Sequence, residues 1–255
     1  MTLTRFTAAM PAFAIAFSAG MAVAAPQFDQ NVTPDVIFGS GNINGSFTVD
    51  RNNGVELGLR AKLRHDATGQ PQNVFNSNGD GTYSFNPGVA PTQSSSTAEW
   101  SFEWSVNSDW DGSTGWNLND LSYELGLDSD PSQGTSFITF DPINRITADH
   151  ALGNNSTGNG EGTVNQLLYM FLIGSNNVAQ NSWKPHWYIS PFDPTVDGTY
   201  DFYLSASNEN GELARTAMQV IVGDGAAATV PVPGTLAMLG AGLVGLGIAQ
   251  RKIRS

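Results

Sequence analysis

The chain has 255 residues, a formal charge of −12, no cysteine and three histidines, which excludes disulfides and zinc sites of the cysteine type. Four basic residues, Arg5, Arg251, Lys252 and Arg254, sit in the end segments, leaving seven basic against 23 acidic residues between them, a charge of −16. That balance argues against nucleic acid as a partner, because phosphate binding needs clustered Lys and Arg, and it suits divalent cations or plain solubility.

The N-terminus reads as a secretory signal over residues 1–24. Arg5 gives the charged start and Phe6 to Phe17 is largely apolar. Ala22-Val23-Ala24 supplies the A-x-A cleavage pattern, with Ala25 as the first mature residue.

Residues 25–222 read as one mainly β domain. Ser46 to Asp50 and Val55 to Leu63 form a hairpin through Asn53-Gly54, a type I′ turn signal. Val55, Leu57, Leu59, Ala61 and Leu63 alternate with Glu56, Gly58, Arg60, Lys62 and Arg64, as in a half-buried strand with a basic outer face. Residues 65–98 are rich in Gly, Pro and Ser. Either a small strand at Thr82 to Phe85 breaks this stretch or it is a mobile excursion. Trp100, Phe102, Trp104 and Val106 alternate with polar residues, as do Leu121, Tyr123, Leu125 and Leu127, and Phe137 to Phe140 is a short apolar strand. Val164, Leu167, Leu168, Phe171 and Leu172 have helical spacing between Thr163 and Gly174. They predict a short helix on the domain edge, with a buried strand as the alternative. Tyr200 to Ala206 turns at Asn210-Gly211 and returns over Thr216 to Val222. The pattern predicts a single β-sandwich of immunoglobulin-like, Greek-key type with one short helix. The stretch DGTYDFYLSASNENGELARTAMQVIVGDG resembles the last hairpin of immunoglobulin-like bacterial surface domains.

Candidate ligands are sparse. Asn76, Asn78 and Asp80 place oxygens at alternate positions with glycine sixth, like the start of an EF-hand loop, but Pro87 stands where a bidentate Glu is needed. Asp109 and Asp111 form a second carboxylate pair for calcium. Trp100 and Trp104 read as core, whereas Trp110, Trp116 and Trp187 lie in or near loops and are candidate platforms for sugar rings. There is no Gly-x-Ser-x-Gly, His-Glu-x-x-His or phosphate loop. Glu103 and Glu124, on strands expected to be adjacent, are the nearest thing to a glycosidase pair, and an exposed charged pair is the plainer reading. His186 reads as structural.

After a small-residue linker at residues 223–229, residues 230–255 form a distinct tail. Gly234 to Ala249 carries no charge. As a helix its 16 residues reach ~24 Å, and a start at Val230 reaches the ~30 Å of a bilayer core. Arg251, Lys252 and Arg254 act as the stop-transfer stub. Val230, Pro231, Pro233, Gly234, Thr235 and Leu236, followed by a Gly/Leu-rich helix and basic residues, closely resemble the PEP-CTERM sorting tail, with Val232 where that family usually has Glu. The resemblance implies transient anchoring in the inner membrane of a Gram-negative cell and recognition by an exosortase. It further implies removal of the tail and delivery to the cell surface or extracellular matrix. The expected role is non-catalytic, associated with secreted polysaccharide or biofilm. A carbohydrate- or calcium-binding adhesin module and a secreted polysaccharide hydrolase are the rival expectations.

Overall fold

The alternating runs pair into two sheets. A computed structural model describes residues 25–144 and 149–226. The strands are β1 (Gln27–Gln30), β2 (Phe47–Asn52), β3 (Val55–Leu63), β4 (Thr82–Phe85), β5 (Trp100–Asn107), β6 (Ser122–Asp128), β7 (Phe137–Phe140), β8 (Ala151–Gly153), β9 (Val178–Trp183), β10 (Gly198–Asn208) and β11 (Gly211–Val222), with helix α1 (Tyr169–Ile173) before β9. The first sheet has the order β1-β2-β3-β5-β9-β8 and the second β4-β11-β10-β6-β7. Their apolar faces meet: Leu57, Leu59, Trp100, Phe102 and Trp104 from the first sheet share one buried cluster with Leu125, Leu127, Phe202, Leu204 and Val220 from the second. Period-2 alternation is what puts these residues on one face.

The Asn53-Gly54 turn takes the backbone its residues favour, φ 49° and 78°. A Cβ on Gly54 would lie 2.3 Å from Thr114 Cγ2, so the turn also packs against the loop after β5. The stretch 65–98 is broken by β4, as one of its two readings expected, and β4 adds in parallel to the edge of β11.

The outer face of β3 departs from expectation. It is covered rather than solvated. Glu56, Arg60 and Lys62 are all buried, because residues 31–45 form a strap across the first sheet. The strap's backbone groups have few strand partners, so side chains of the sheet satisfy them. Glu56 accepts from Thr33 N at 2.6 Å, Gln180 accepts from Ile37 N at 2.8 Å and donates to Asp35 O at 2.8 Å, and Arg60 donates to Gly45 O at 2.7 Å. Lys62 donates to Asn42. Beneath the strap, Arg60 pairs with Glu103 at 2.6 Å, and its guanidinium lies 4.1 Å and 4.0 Å from the ring centres of Phe47 and Phe75.

The helix also differs. It spans five residues, and its inward face is Tyr169 and Ile173, one turn apart. Val164, Leu168 and Phe171 of the expected apolar face are exposed, and Leu167 is 97% exposed.

Ala22 and Ala24 of the cleavage pattern, the sorting motif from Val230 to Gly234, the expected spanning helix, and Arg251, Lys252 and Arg254 lie outside the described residues. Ala25, the first described residue, is exposed. Among the described residues no helix is long and apolar enough to cross a membrane.

Candidate functional site

The second sheet turns its outer face to solvent, and the register of the last hairpin builds a site there. Tyr200, Phe202 and Leu204 point into the core, so Asp201 and Tyr203 point outward. Asp201 faces Gln219 across β10 and β11, Tyr203 faces Ala217, and Ser205 faces Arg215. On the other side Tyr203 faces Gly126 and Ser205 faces Glu124. Two small residues, Gly126 and Ala217, thus flank one aromatic ring, and the ring lies over the bare backbone of Gly126.

Phe137 of β7 meets Tyr203 edge to face at 5.1 Å. Phe28 of β1 approaches from the opposite rim over Gly81, where a Cβ would come within 2.8 Å of its ring. Together with Arg215, Asp201 and Gln219 these rings line an open groove of about 520 Å³. Phe28 and Phe137 are each 41% exposed, so apolar ring surface is presented to water.

The polar groups are fixed in place. Tyr203 donates from its hydroxyl to Glu124 Oε1 at 2.6 Å. Burial first, then that carboxylate, raises its pKa, so the phenol stays protonated and remains a donor. The Arg215 guanidinium sits 4.0 Å from the ring centre of Tyr203 and 3.3 Å from Glu212. Gln219 donates to Asp201 Oδ1 at 2.8 Å. At the rim, Asp80 accepts from the hydroxyl and the N–H of Thr82, which lowers its pKa. The exposed ring surface of Phe28 and Phe137, bordered by oriented amide, carboxylate and guanidinium groups, suits a ligand with C–H faces and many hydroxyls.

The residues singled out from sequence are scattered. Asn76, Asn78 and Asp80 share a tight turn, where Asn78 donates to Thr82 Oγ1 at 2.8 Å and Ser84 Oγ at 2.9 Å. Asp109 accepts from Thr114 N at 2.8 Å and Asp111 from Ser113 N at 3.0 Å, each within its own loop. Among the described residues no group of three or more His, Asp or Glu is arranged to hold a metal ion. Trp110 is half-buried with Arg51 5.2 Å from its ring centre, Trp116 packs against the core, and Trp187 is 54% exposed. Glu103 and Glu124, expected on adjacent strands, lie in different sheets, and Glu103 is consumed by Arg60. Asp201, Tyr203, Arg215 and Gln219 were not singled out from sequence because they lie on the outward half of the alternation, and Phe137 read only as part of a short apolar strand.

Residues 229–252 match the family described as the PEP-CTERM protein-sorting motif. The chain therefore carries that motif at its C-terminus, as the residues from Val230 to Leu236 implied, and the motif marks a secreted protein with a C-terminal sorting tail. No curated protein and no solved structure matches the chain.

Proposed function

We propose that this chain is a non-catalytic component of the cell surface or extracellular matrix. Its tail is read by an exosortase in the inner membrane, and its body, a β-sandwich of Greek-key type, binds secreted polysaccharide. The observation that carries the binding reading is the groove on the outer face of the second sheet, with Tyr203 between Phe137 and Arg215. The exposed rings of Phe28 and Phe137 offer stacking surface for sugar C–H faces, Tyr203 lies between Phe137 and Arg215 and holds both in place, and Asp201, Gln219 and Arg215 supply acceptors and donors for hydroxyls. The carboxylates at the groove are engaged by neighbours, Asp201 by Gln219 and Glu124 by Tyr203, which favours holding a sugar over cleaving one.

Two measurements test this. The intact mass of the protein from the culture medium should begin at Ala25 and lack everything after about Pro233. Retention of Ser255 in an inner-membrane fraction would contradict the sorting part. In affinity electrophoresis of the secreted form through gels carrying neutral polysaccharide, Tyr203→Ala should weaken retardation roughly tenfold, the ~1–2 kcal/mol of one aromatic anchor. Release of reducing ends from the same polysaccharide would replace the binding reading with a hydrolase.

A further inference from the structure

Six of the seven basic residues in the body are described, and four of them are in ion pairs: Arg51 with Glu56, Arg60 and Lys62 with Glu103, and Arg215 with Glu212. Arg64 and Lys184 have no ion-pair partner among the described residues. The topology brings these two together. Strands β3 and β9 flank β5, with Leu63 opposite Trp100 and Trp183 opposite Phe102. Both therefore end where β5 begins, and Arg64 and Lys184 leave the same end of the first sheet. Each cation bears on its neighbours. After burial, the charges of Lys184 and Arg64 hold His65 below its ordinary pKa, and Lys184 does the same to His186. The acidic groups beside them are Glu99, whose carbonyl accepts from Arg64 N at 2.7 Å, and Asp66, whose carboxylate is taken up by Thr68, Gln70 and Gln72.

An aromatic plate stands next to Lys184. A 3₁₀ turn over Pro185–Trp187 presents Trp187 to solvent, with Lys184 Nζ 5.9 Å from its ring centre and 3.3 Å from Gln93 Oε1. An exposed indole with Lys184 beside its ring, and Arg64 leaving the same end of the sheet, matches a sugar ring that carries a carboxylate: C–H groups on the indole, the anion toward the two cations. The indole lies on the outside of the molecule, so an extended chain can cross it. The acidic body repels such a chain only within a screening length of ~8 Å in physiological salt, leaving the local cations to act.

We propose that the surface formed by Arg64, Lys184 and Trp187 binds an acidic polysaccharide, a chain of uronate sugars. This deepens the polysaccharide-binding reading by adding a second site, distinct from the groove at Tyr203 and selective for negative charge. The test is a ¹H–¹⁵N titration of the secreted protein with a galacturonate trimer and with maltotriose. The indole N–H of Trp187 is identified by its loss in Trp187→Phe. The uronate trimer should shift that resonance and maltotriose should not. The double variant R64Q/K184Q should weaken the response by about tenfold or more, the scale of a lost charge-assisted contact, while the rest of its spectrum stays in place. An unmoved Trp187 resonance, an equal response to maltotriose, or an unchanged response in the double variant each overturns the proposal. Shifts confined to the groove would sink this site and leave the groove standing. Shifts nowhere would sink both.

Discussion

The ring of Tyr203 occupies the space a side chain at Gly126 would take. A Cβ on the glycine would lie 2.1 Å from Tyr203 Cε1 and 2.4 Å from Cζ. Glycine inside a strand weakens it, and an aromatic ring laid over the bare backbone offsets that loss while fixing the ring. Here the fixed ring is the centre of the groove, and its hydroxyl reaches Glu124 because the ring crosses β6. Gly126→Ala should therefore expel Tyr203, cost about 1–3 kcal/mol as an overpacked contact, and weaken saccharide binding as much as Tyr203→Ala does. Adding Tyr203→Ala to Gly126→Ala should remove most of the stability penalty, since the clash is with that ring. Urea unfolding of the two single variants and the double variant measures the coupling.

Glu103 should be the most sensitive charge in the protein. It sits 1% exposed beneath the strap, 2.6 Å from Arg60 and 4.0 Å from Lys62. Glu103→Leu strands two buried cations and should cost about 3–5 kcal/mol. Arg60→Met should cost less, because Lys62 remains to face Glu103 and the Met side chain fits between Phe47 and Phe75. The midpoints of urea unfolding should rank wild type, Arg60→Met, Glu103→Leu. The reverse order of the two variants would mean that the pair does not hold the strap.

The strands were legible where alternation is strong. Trp100 to Val106 and Val55 to Leu63 read directly from sequence, because a buried face every second residue leaves a plain pattern. The strap was not, since residues 31–45 carry no period and are held by side chains from distant strands such as Gln180. The basic face of β3 looked solvated for the same reason. The groove was hidden by a bulge. From Asn208 opposite Gly211, a regular hairpin would put Tyr203 opposite Thr216, but the register shifts between Ala206 and Ser207, and Ala217 becomes its partner. No local signal in the sequence announces that shift.

Helix α1 gives a direct comparison of pattern and packing. Leu167 belonged to the expected apolar face and is 97% exposed, whereas Ile173 is fully buried. Leu167→Ala should change stability by no more than about 0.5 kcal/mol, and Ile173→Ala should cost about 2–5 kcal/mol. Tyr169→Phe should fall between them at about 1 kcal/mol, the worth of its hydroxyl's hydrogen bond to Ile143 O at 2.6 Å. Thermal unfolding of the three variants decides the order. A large loss at Leu167 would restore the longer helix that the spacing predicts.

Asp50 gives the protein a stability that depends on pH in an unusual direction. Burial raises its pKa above the ordinary 3.8, against the lowering effect of the Arg215 N–H, and the charge of Glu212 adds to the rise. Oδ1 is buried without a partner. An acid whose folded pKa is raised holds more protons when folded, so it favours folding below the unfolded value and loses that contribution as pH climbs through the folded value. At neutral pH the charged carboxylate is therefore a burden, and Asp50→Asn should melt higher than the wild type. As pH falls toward 3.8 the wild-type carboxyl takes up its proton and the gap should close. Asp66 should behave in the opposite sense. Hydrogen bonds from Thr68 and Gln70 bring its pKa down to about 2, so Asp66→Asn should lose stability at neutral pH, with a deficit that shrinks between 3.8 and about 2. Melting temperatures of the two variants and the wild type from pH 7 to about pH 2 separate the signs. A variant gap at Asp50 that widens toward acid would mean that the carboxylate is stabilised where it lies.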